Sequence, residues 1–282
     1  MIKRMFSPER VAMGFAPLLA LVPGLASAAW DQLNLTKGVT PYSETVYDLH
    51  MLILAVCVVI GIGVFGAIFY SILKFRKSKG AVAAQWHEST TVEVLWTVVP
   101  FIILIIMAVP ATKALVMMED VSKSDVTIKV TGYQWKWHYT YLNEGVELFS
   151  TLADTSNKAR QLGSGVDPAS VENYLLEVDN EIVVPINKKI RFLTTSADVI
   201  HAWWVPALGW KRDAIPGFIN ESWATIREPG VYRGQCAELC GKDHGFMPVV
   251  VRAVSDEEFQ QWVAQHKTAE VPVAGSPLAV SQ

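Results

Sequence analysis

Cysteine is scarce in this chain, with three among 282 residues, so a disulfide-stapled scaffold is excluded. No Cys-x-x-Cys-His run occurs, and that excludes covalent attachment of a c-type haem. Charge is also sparse: 18% of residues are charged and the net charge is −3, so no broad basic surface points to nucleic acid. Histidine is short where a haem would need it. Of six in all, only His50 falls in a long apolar run.

What the chain has in excess is apolar sequence, 51% of its residues, which is too much for an ordinary soluble protein. Residues 1–29 begin with Lys3, Arg4 and Arg10, continue through a short apolar stretch and end in Ala26-Ser27-Ala28. A basic start, a short apolar centre and small residues at a cut describe a signal peptide, cleaved near Ala28 or Ala29. Pro17, Pro23 and Gly24 interrupt this run and argue against a retained helix.

Residues 49–73 and 94–118 are two longer apolar runs, and each exceeds the ~20 residues needed to cross the hydrocarbon layer. Pro100 and Pro110 are tolerable in the second, because neighbouring contacts in a membrane re-satisfy the freed backbone groups. Lys74, Arg76, Lys77 and Lys79 crowd the connection, which places it in the cytoplasm. The expected layout is an exported segment at 30–46, a transmembrane hairpin at 47–118 with its loop at about 74–92, an exported domain at 119–266 and a disordered tail at 267–282. Gly61, Gly63 and Gly66 permit close packing against further helices, so the hairpin reads as part of a larger assembly.

Beyond residue 121 the pattern changes to short stretches rich in Val, Ile, Thr and aromatics, at 127–131, 135–142, 181–185, 190–195, 222–226, 230–236 and 248–254. Such spacing predicts an antiparallel sandwich or barrel. Residues 152–172 read as a long surface loop, and 255–266 as a closing helix with acids at its start.

The chemistry is concentrated in Cys236-Ala237-Glu238-Leu239-Cys240-Gly241-Lys242-Asp243-His244-Gly245-Phe246-Met247. Thiolate, imidazole and thioether are soft ligands that favour copper over magnesium or calcium. A disulfide between Cys236 and Cys240 would leave His244 and Met247 without a purpose, and methionine is a poor zinc ligand. A mononuclear blue-copper site takes one cysteine, so one thiolate is surplus. Two four-coordinate coppers absorb it. Bridging thiolates supply four of the eight contacts, two histidines and Met247 three, and a main-chain carbonyl the last. The second histidine is His201 or His138, and His201, just after a strong strand candidate, is better placed in a loop of the sandwich.

These residues resemble subunit II of bacterial haem-copper cytochrome c oxidase, over roughly residues 30–265. Supporting segments are Gly132-Tyr133-Gln134-Trp135-Lys136-Trp137, Leu176-Glu177-Val178-Asp179-Asn180 and Asp213-Ala214-Ile215-Pro216-Gly217. The resemblance implies a two-helix transmembrane hairpin followed by an all-β, cupredoxin-like Greek-key sandwich or barrel. It implies a dinuclear copper A centre bridged by Cys236 and Cys240, with His201 and His244 binding one copper each, and Met247 and the main-chain oxygen of Glu238 as weak ligands. The Glu238 carboxylate would hold magnesium or manganese shared with subunit I. Trp135 would admit electrons from cytochrome c, although Lys136 replaces the family's usual aromatic there. Glu93 matches the acid at the mouth of a proton path. Asp198 is an expected contact for a basic cytochrome c.

The implied partners are subunit I, which carries the haems and the oxygen chemistry, subunit III and the lipid bilayer. The implied place is the bacterial cytoplasmic membrane, with both mature termini and the copper domain on the periplasmic side. Two other classes share parts of the pattern: a quinol oxidase subunit II without copper, and a solitary membrane-anchored copper electron carrier. Both thiols must ionise to bind metal, so binding releases protons.

Overall fold

The computed structural model describes residues 33–267, so the expected signal peptide at 1–29 and all but the first residue of the expected tail at 267–282 lie outside the described residues. Contacts divide the chain into residues 1–36 and a unit that starts at Lys37 and holds every element below.

Helix α1 (Pro41–Lys74) starts at a capping box. The Thr40 hydroxyl accepts from the Ser43 amide at 2.9 Å, while the Thr40 amide donates to the Ser43 hydroxyl at 3.0 Å. Pro41 occupies the first turn, where its missing N–H costs nothing. The helix therefore begins inside the stretch expected to be an exported segment. Helix α2 (Thr90–Glu119) runs through Pro100 and Pro110. At 34 and 30 residues the helices span about 51 and 45 Å at 1.5 Å per residue, beyond the ~30 Å hydrocarbon layer. Both are long and apolar enough to cross a membrane, and their central surfaces are exposed.

Ten strands follow: β1 (Val126–Tyr133), β2 (Lys136–Tyr141), β3 (Val146–Ser150), β4 (Ile182–Pro185), β5 (Ile190–Ser196), β6 (His201–Val205), β7 (Trp210–Ala214), β8 (Asn220–Ala224), β9 (Gly230–Cys236) and β10 (Pro248–Val254). They form two five-stranded sheets ordered β3-β2-β1-β5-β8 and β4-β10-β9-β6-β7. This is the expected β-sandwich, with a correction to its pairing: β1–β5 and β4–β10 are parallel. Parallel neighbours need a crossover, and here the chain crosses between sheets before returning. Inward residues alternate as the pleat requires. In β5, Ile190, Phe192 and Thr194 are buried, and in β2, Trp137, Tyr139 and Tyr141. Helix α4 (Asp256–His266), capped by Ser255, buries Phe259 and Trp262 against Tyr141.

Strands β3, β6 and β7 were not expected from the sequence. β3 and β7 each place buried residues only at their ends, and β6 is buried at four of five positions, so none alternates clearly. The expected loop at 152–172 contains a short helix, α3 (Asp154–Ala159), that buries Ser156 and Ala159.

The outer ends of both membrane helices are tied to the sandwich. Val39 N–H donates to Ala207 O at 3.0 Å, and the Thr40 hydroxyl to Leu208 O at 2.9 Å. The Trp223 indole N–H donates to the carbonyls of Met117 and Met118 at 3.3 and 3.1 Å. Lys189 Nζ donates to Asp120 O and Ser122 O, closing the join between α2 and β1. The sandwich is thus fixed over the end of the hairpin.

Candidate metal centre

Strand β9 delivers Cys236 at its last residue, and β6 begins at His201, not in the loop before it as the sequence predicts. The two strands are antiparallel neighbours, with Trp203 opposite Cys236, and this pairing carries His201 to the ligand loop. After Cys236 the chain leaves the sheet, turns through Gly241, forms a 3₁₀ turn at His244–Phe246 and re-enters as β10 at Pro248. The Cys236 amide donates to Met247 O at 3.0 Å, so the two ends of the loop face each other. One step further on, Ala237 N–H donates to Ala202 O at 2.9 Å.

This backbone gathers the soft donors. Cys236 Sγ lies 3.8 Å from Cys240 Sγ and 3.9 Å from His201 Nδ1. Cys240 Sγ lies 3.6 Å from His244 Nδ1, and Glu238 O is 3.4 Å from Cys236 Sγ. The sulfurs are far beyond the ~2.05 Å of a disulfide, and a metal ~2.3 Å from each fits between them. His201, Cys236, Cys240 and Met247 are all buried, with His201 and Met247 at 0% and 1% exposure. Among the described residues, His201, Cys236 and Cys240 form the one group of at least three such donors within metal-binding reach. His244 is half-buried and Glu238 exposed.

His201 is oriented from behind. Its Nε2 lies 2.8 Å from Asp198 Oδ1, which leaves Nδ1 to face the sulfur. Asp198 Oδ2 accepts from the Gln134 amide at 2.7 Å. Burial opposes a charged His201, but hydrogen bonding to Cys236 and Asp198 outweighs it and raises the imidazole pKa. Burial likewise raises Asp198, and its bonds to His201 and the Val199 and Gln134 amides more than reverse this. Burial also opposes ionisation of Cys236, yet bonding to His201 and to the backbone at Glu238 and Ala202 brings that thiol down to about 7. Burial and the neighbouring Cys236 charge push Cys240 up to about 12. The two thiols therefore ionise in sequence, Cys236 well before Cys240, and a bound cation would favour the ionised form of both.

Trp135 precedes β2 and packs against the ligand loop, where its indole N–H donates to Cys240 O at 3.2 Å. The Gln134 side-chain amide donates to the same carbonyl at 2.9 Å. Trp137 and Tyr139 are core residues, and Trp137 meets the His201 ring edge-on at 5.8 Å. His138 lies apart, stacked on Phe149 at 4.4 Å. Glu93 is also remote, exposed in the first turn of α2 beside the inter-helix loop. The sequence marks Asp198 as a docking acid. It does not reveal Asp198 as the partner of His201, though a carboxylate three residues ahead of a histidine was the available signal.

A two-helix hairpin joined to a sandwich with buried cysteine, histidine and methionine at one end defines a membrane-bound, metal-site class of protein. Residues 126–254 match the family model "Cytochrome C oxidase subunit II, periplasmic domain", and residues 28–114 match "Cytochrome C oxidase subunit II, transmembrane domain". Two relatives named "Probable cytochrome c oxidase subunit 2" come from Rickettsia prowazekii (strain Madrid E) and Rickettsia bellii (strain RML369-C). The first is 42% identical over 86% of this chain and 74% of its own, and the second 38% over 89% and 90%. The periplasmic domain of subunit II of cytochrome oxidase from Bradyrhizobium japonicum is 48% identical. It covers 52% of this chain and 96% of its own, with a TM-score of 0.45. The chain belongs to the cytochrome c oxidase subunit II family, and with that membership it is a component of the oxygen-reducing oxidase.

Proposed function

We propose that this chain is the subunit through which electrons enter a respiratory cytochrome c oxidase, received from cytochrome c at a dinuclear copper A centre and passed to haem in subunit I. The observation that carries the reading is the buried meeting of two free thiols, 3.8 Å apart, each with an imidazole Nδ1 within 4 Å. Cys236 and Cys240 would hold both coppers, His201 and His244 one each, and the Met247 sulfur and Glu238 main-chain oxygen would complete the set. When bound, the copper pair supplies a store for a single electron.

The protein's part is to hold these donors still and dry. Buried, hydrogen-bonded ligands move little, and an apolar surround limits solvent and tunes potential. Trp135 offers a half-buried indole joined by one hydrogen bond to the Cys240 carbonyl, a short route from the surface to a ligand. The exposed Glu238 carboxylate is free to hold magnesium or manganese shared with subunit I. Glu93 stands where a proton path would open from the inner side. Asp198 and neighbouring acids steer a basic cytochrome c. Subunit III completes the assembly, in a bacterial cytoplasmic membrane with the copper domain and both mature termini on the periplasmic side. The domain limits follow: cleavage near residue 29, the hairpin to 118, the copper domain to 266 and a tail beyond.

Cys236→Ser tests the reading. The variant loses its copper, its near-infrared absorption and cytochrome c oxidation in the assembled oxidase. Full copper with normal turnover would sink the proposal. Intact protein with no copper would instead favour a quinol-oxidase-type subunit.

A further inference from the structure

The segment between β3 and β4 is bound down at its base. Thr151 N–H and hydroxyl donate to the two Asp179 carboxylate oxygens at 2.7 and 2.8 Å, and Asp179 N–H returns a bond to Thr151 O at 3.0 Å. Inside it, Leu175 N–H donates to the buried Ser156 hydroxyl at 3.1 Å, which pins α3 from within. The segment is a platform, and it contacts both the strand that leads into the ligand loop and the loop itself. Glu177 pairs with Arg233 of β9 at 2.7 Å, three residues before Cys236.

The other contact is Arg160, at the end of α3. Its Nε donates to Asn157 Oδ1 at 2.7 Å, its Nη1 lies 3.1 Å from Asp243 Oδ1, and its guanidinium sits 4.2 Å from the centre of the Phe246 ring. Asp243 immediately precedes His244, and Phe246 immediately precedes Met247. A bond from Phe246 N–H to Asp243 O at 2.9 Å closes the turn between them. The Arg160 and Asp243 side chains are only 21% and 25% exposed, so solvent and salt screen the pair less than an open surface pair. A flat guanidinium can fork to a carboxylate and lie on a ring at once, which a lysine ammonium cannot.

We propose that Arg160 is a positioning residue, holding the His244–Phe246 turn so that His244 and Met247 stand in place for copper. The inference rests on the copper reading above. It assigns the segment between β3 and β4 a purpose: to brace the far part of a loop whose sheet contact is confined to its start, at Ala237. Removing Arg160 leaves the turn to its backbone bonds, Phe246 N–H to Asp243 O and His244 N–H to Gly241 O, the contact of His244 with Cys240, and its two ends.

The test uses full-length protein in detergent, as Arg160→Met, Arg160→Lys, Asp243→Asn and the Arg160→Met/Asp243→Asn double variant. Two quantities are read: amide hydrogen exchange over residues 241–247 in metal-free protein, and the rate of copper loss to excess chelator, followed in the near infrared. Arg160→Met speeds exchange at 241–247 while the strands of the sandwich keep their protection, and copper leaves on the order of tenfold faster or more. Arg160→Lys falls between it and the parent. The double variant is no worse than the more severe single change, because both act on one contact. Parental exchange and parental copper loss in Arg160→Met overturn the proposal. If that variant does not fold, the same parental behaviour in Asp243→Asn, which keeps the side-chain shape, overturns it. If the parent protein binds no copper, the copper reading fails on its own, and exchange in the metal-free protein still decides whether Arg160 braces the turn.

Discussion

At Gly132 the chain has no room for a side chain, since a Cβ there would stand 2.7 Å from the His201 ring. Gly132→Ala would push that ring off its position, and the expected destabilisation is about 1–3 kcal/mol by denaturant unfolding of metal-free protein. Gly241 serves differently: with φ at +122° it takes a backbone form that side chains rarely adopt, and a Cβ would press the Trp135 ring at 3.0 Å. Asp198→Ala removes the partner of His201 Nε2, and copper affinity should fall roughly 10–100-fold in a chelator competition. Unchanged affinity would show that the carboxylate does not orient the ligand. The two thiols set a further expectation. Cys236 loses its proton near pH 7 and Cys240 holds its own to about 12, so metal must displace at least the Cys240 proton at neutral pH. Below pH 7 both protons must leave, and affinity should weaken more steeply as pH falls, by about tenfold per unit for each proton displaced. Proton release in weakly buffered solution measures this, and binding without release contradicts it.

Among the elements, those that alternate or run uniformly apolar were legible in the sequence, and those whose burial depends on partners were not. The seven expected strands read correctly because Val, Ile and aromatics either alternate, as in β2 and β5, or run nearly uniformly buried, as in β4 and β10, and β9 and β10 fall at the expected bounds. β8 is shifted to Asn220–Ala224, as its pairing with β5 requires rather than its own composition. His201-Ala202-Trp203-Trp204-Val205 gives no alternation, because β6 lies inside the sheet between β7 and β9. That is why His201 read as a loop residue. The cysteines, His244 and Met247 were visible as one local motif. The roles of Gln134, Arg160 and Asp243 were not, since they exist only where distant segments meet, while Asp198 read as a docking acid although its partner His201 is three residues on. Trp223 is the element-scale hinge pin, linking β8 to the last turn of α2. Trp223→Phe keeps an aromatic ring, though a smaller one, and deletes both N–H bonds to Met117 and Met118; it should lower stability by about 1–3 kcal/mol in detergent without altering the metal spectrum. A changed spectrum would mean that the hairpin contact reaches the metal loop.

For the whole molecule, the membrane hairpin and the donor set locate and define one another. The helices put the sandwich at a membrane surface, and the bonds at Val39, Thr40 and Trp223 fix it there. The ligand loop joins two strands of a single sheet, so the sheet's rigidity passes to the donors. Scarce cysteine gains its meaning at this scale: two of the three thiols are spent at one buried point, and the third, Cys57, lies on the membrane helix. The claim that joins these features is that the two thiolates bridge two coppers sharing one electron. Copper analysis of intact, purified protein combined with electron paramagnetic resonance tests it most directly. Two coppers per chain are expected, with one unpaired electron spread equally over both nuclei and seen as seven hyperfine lines. One copper per chain with a four-line spectrum, or no copper at all, would contradict it.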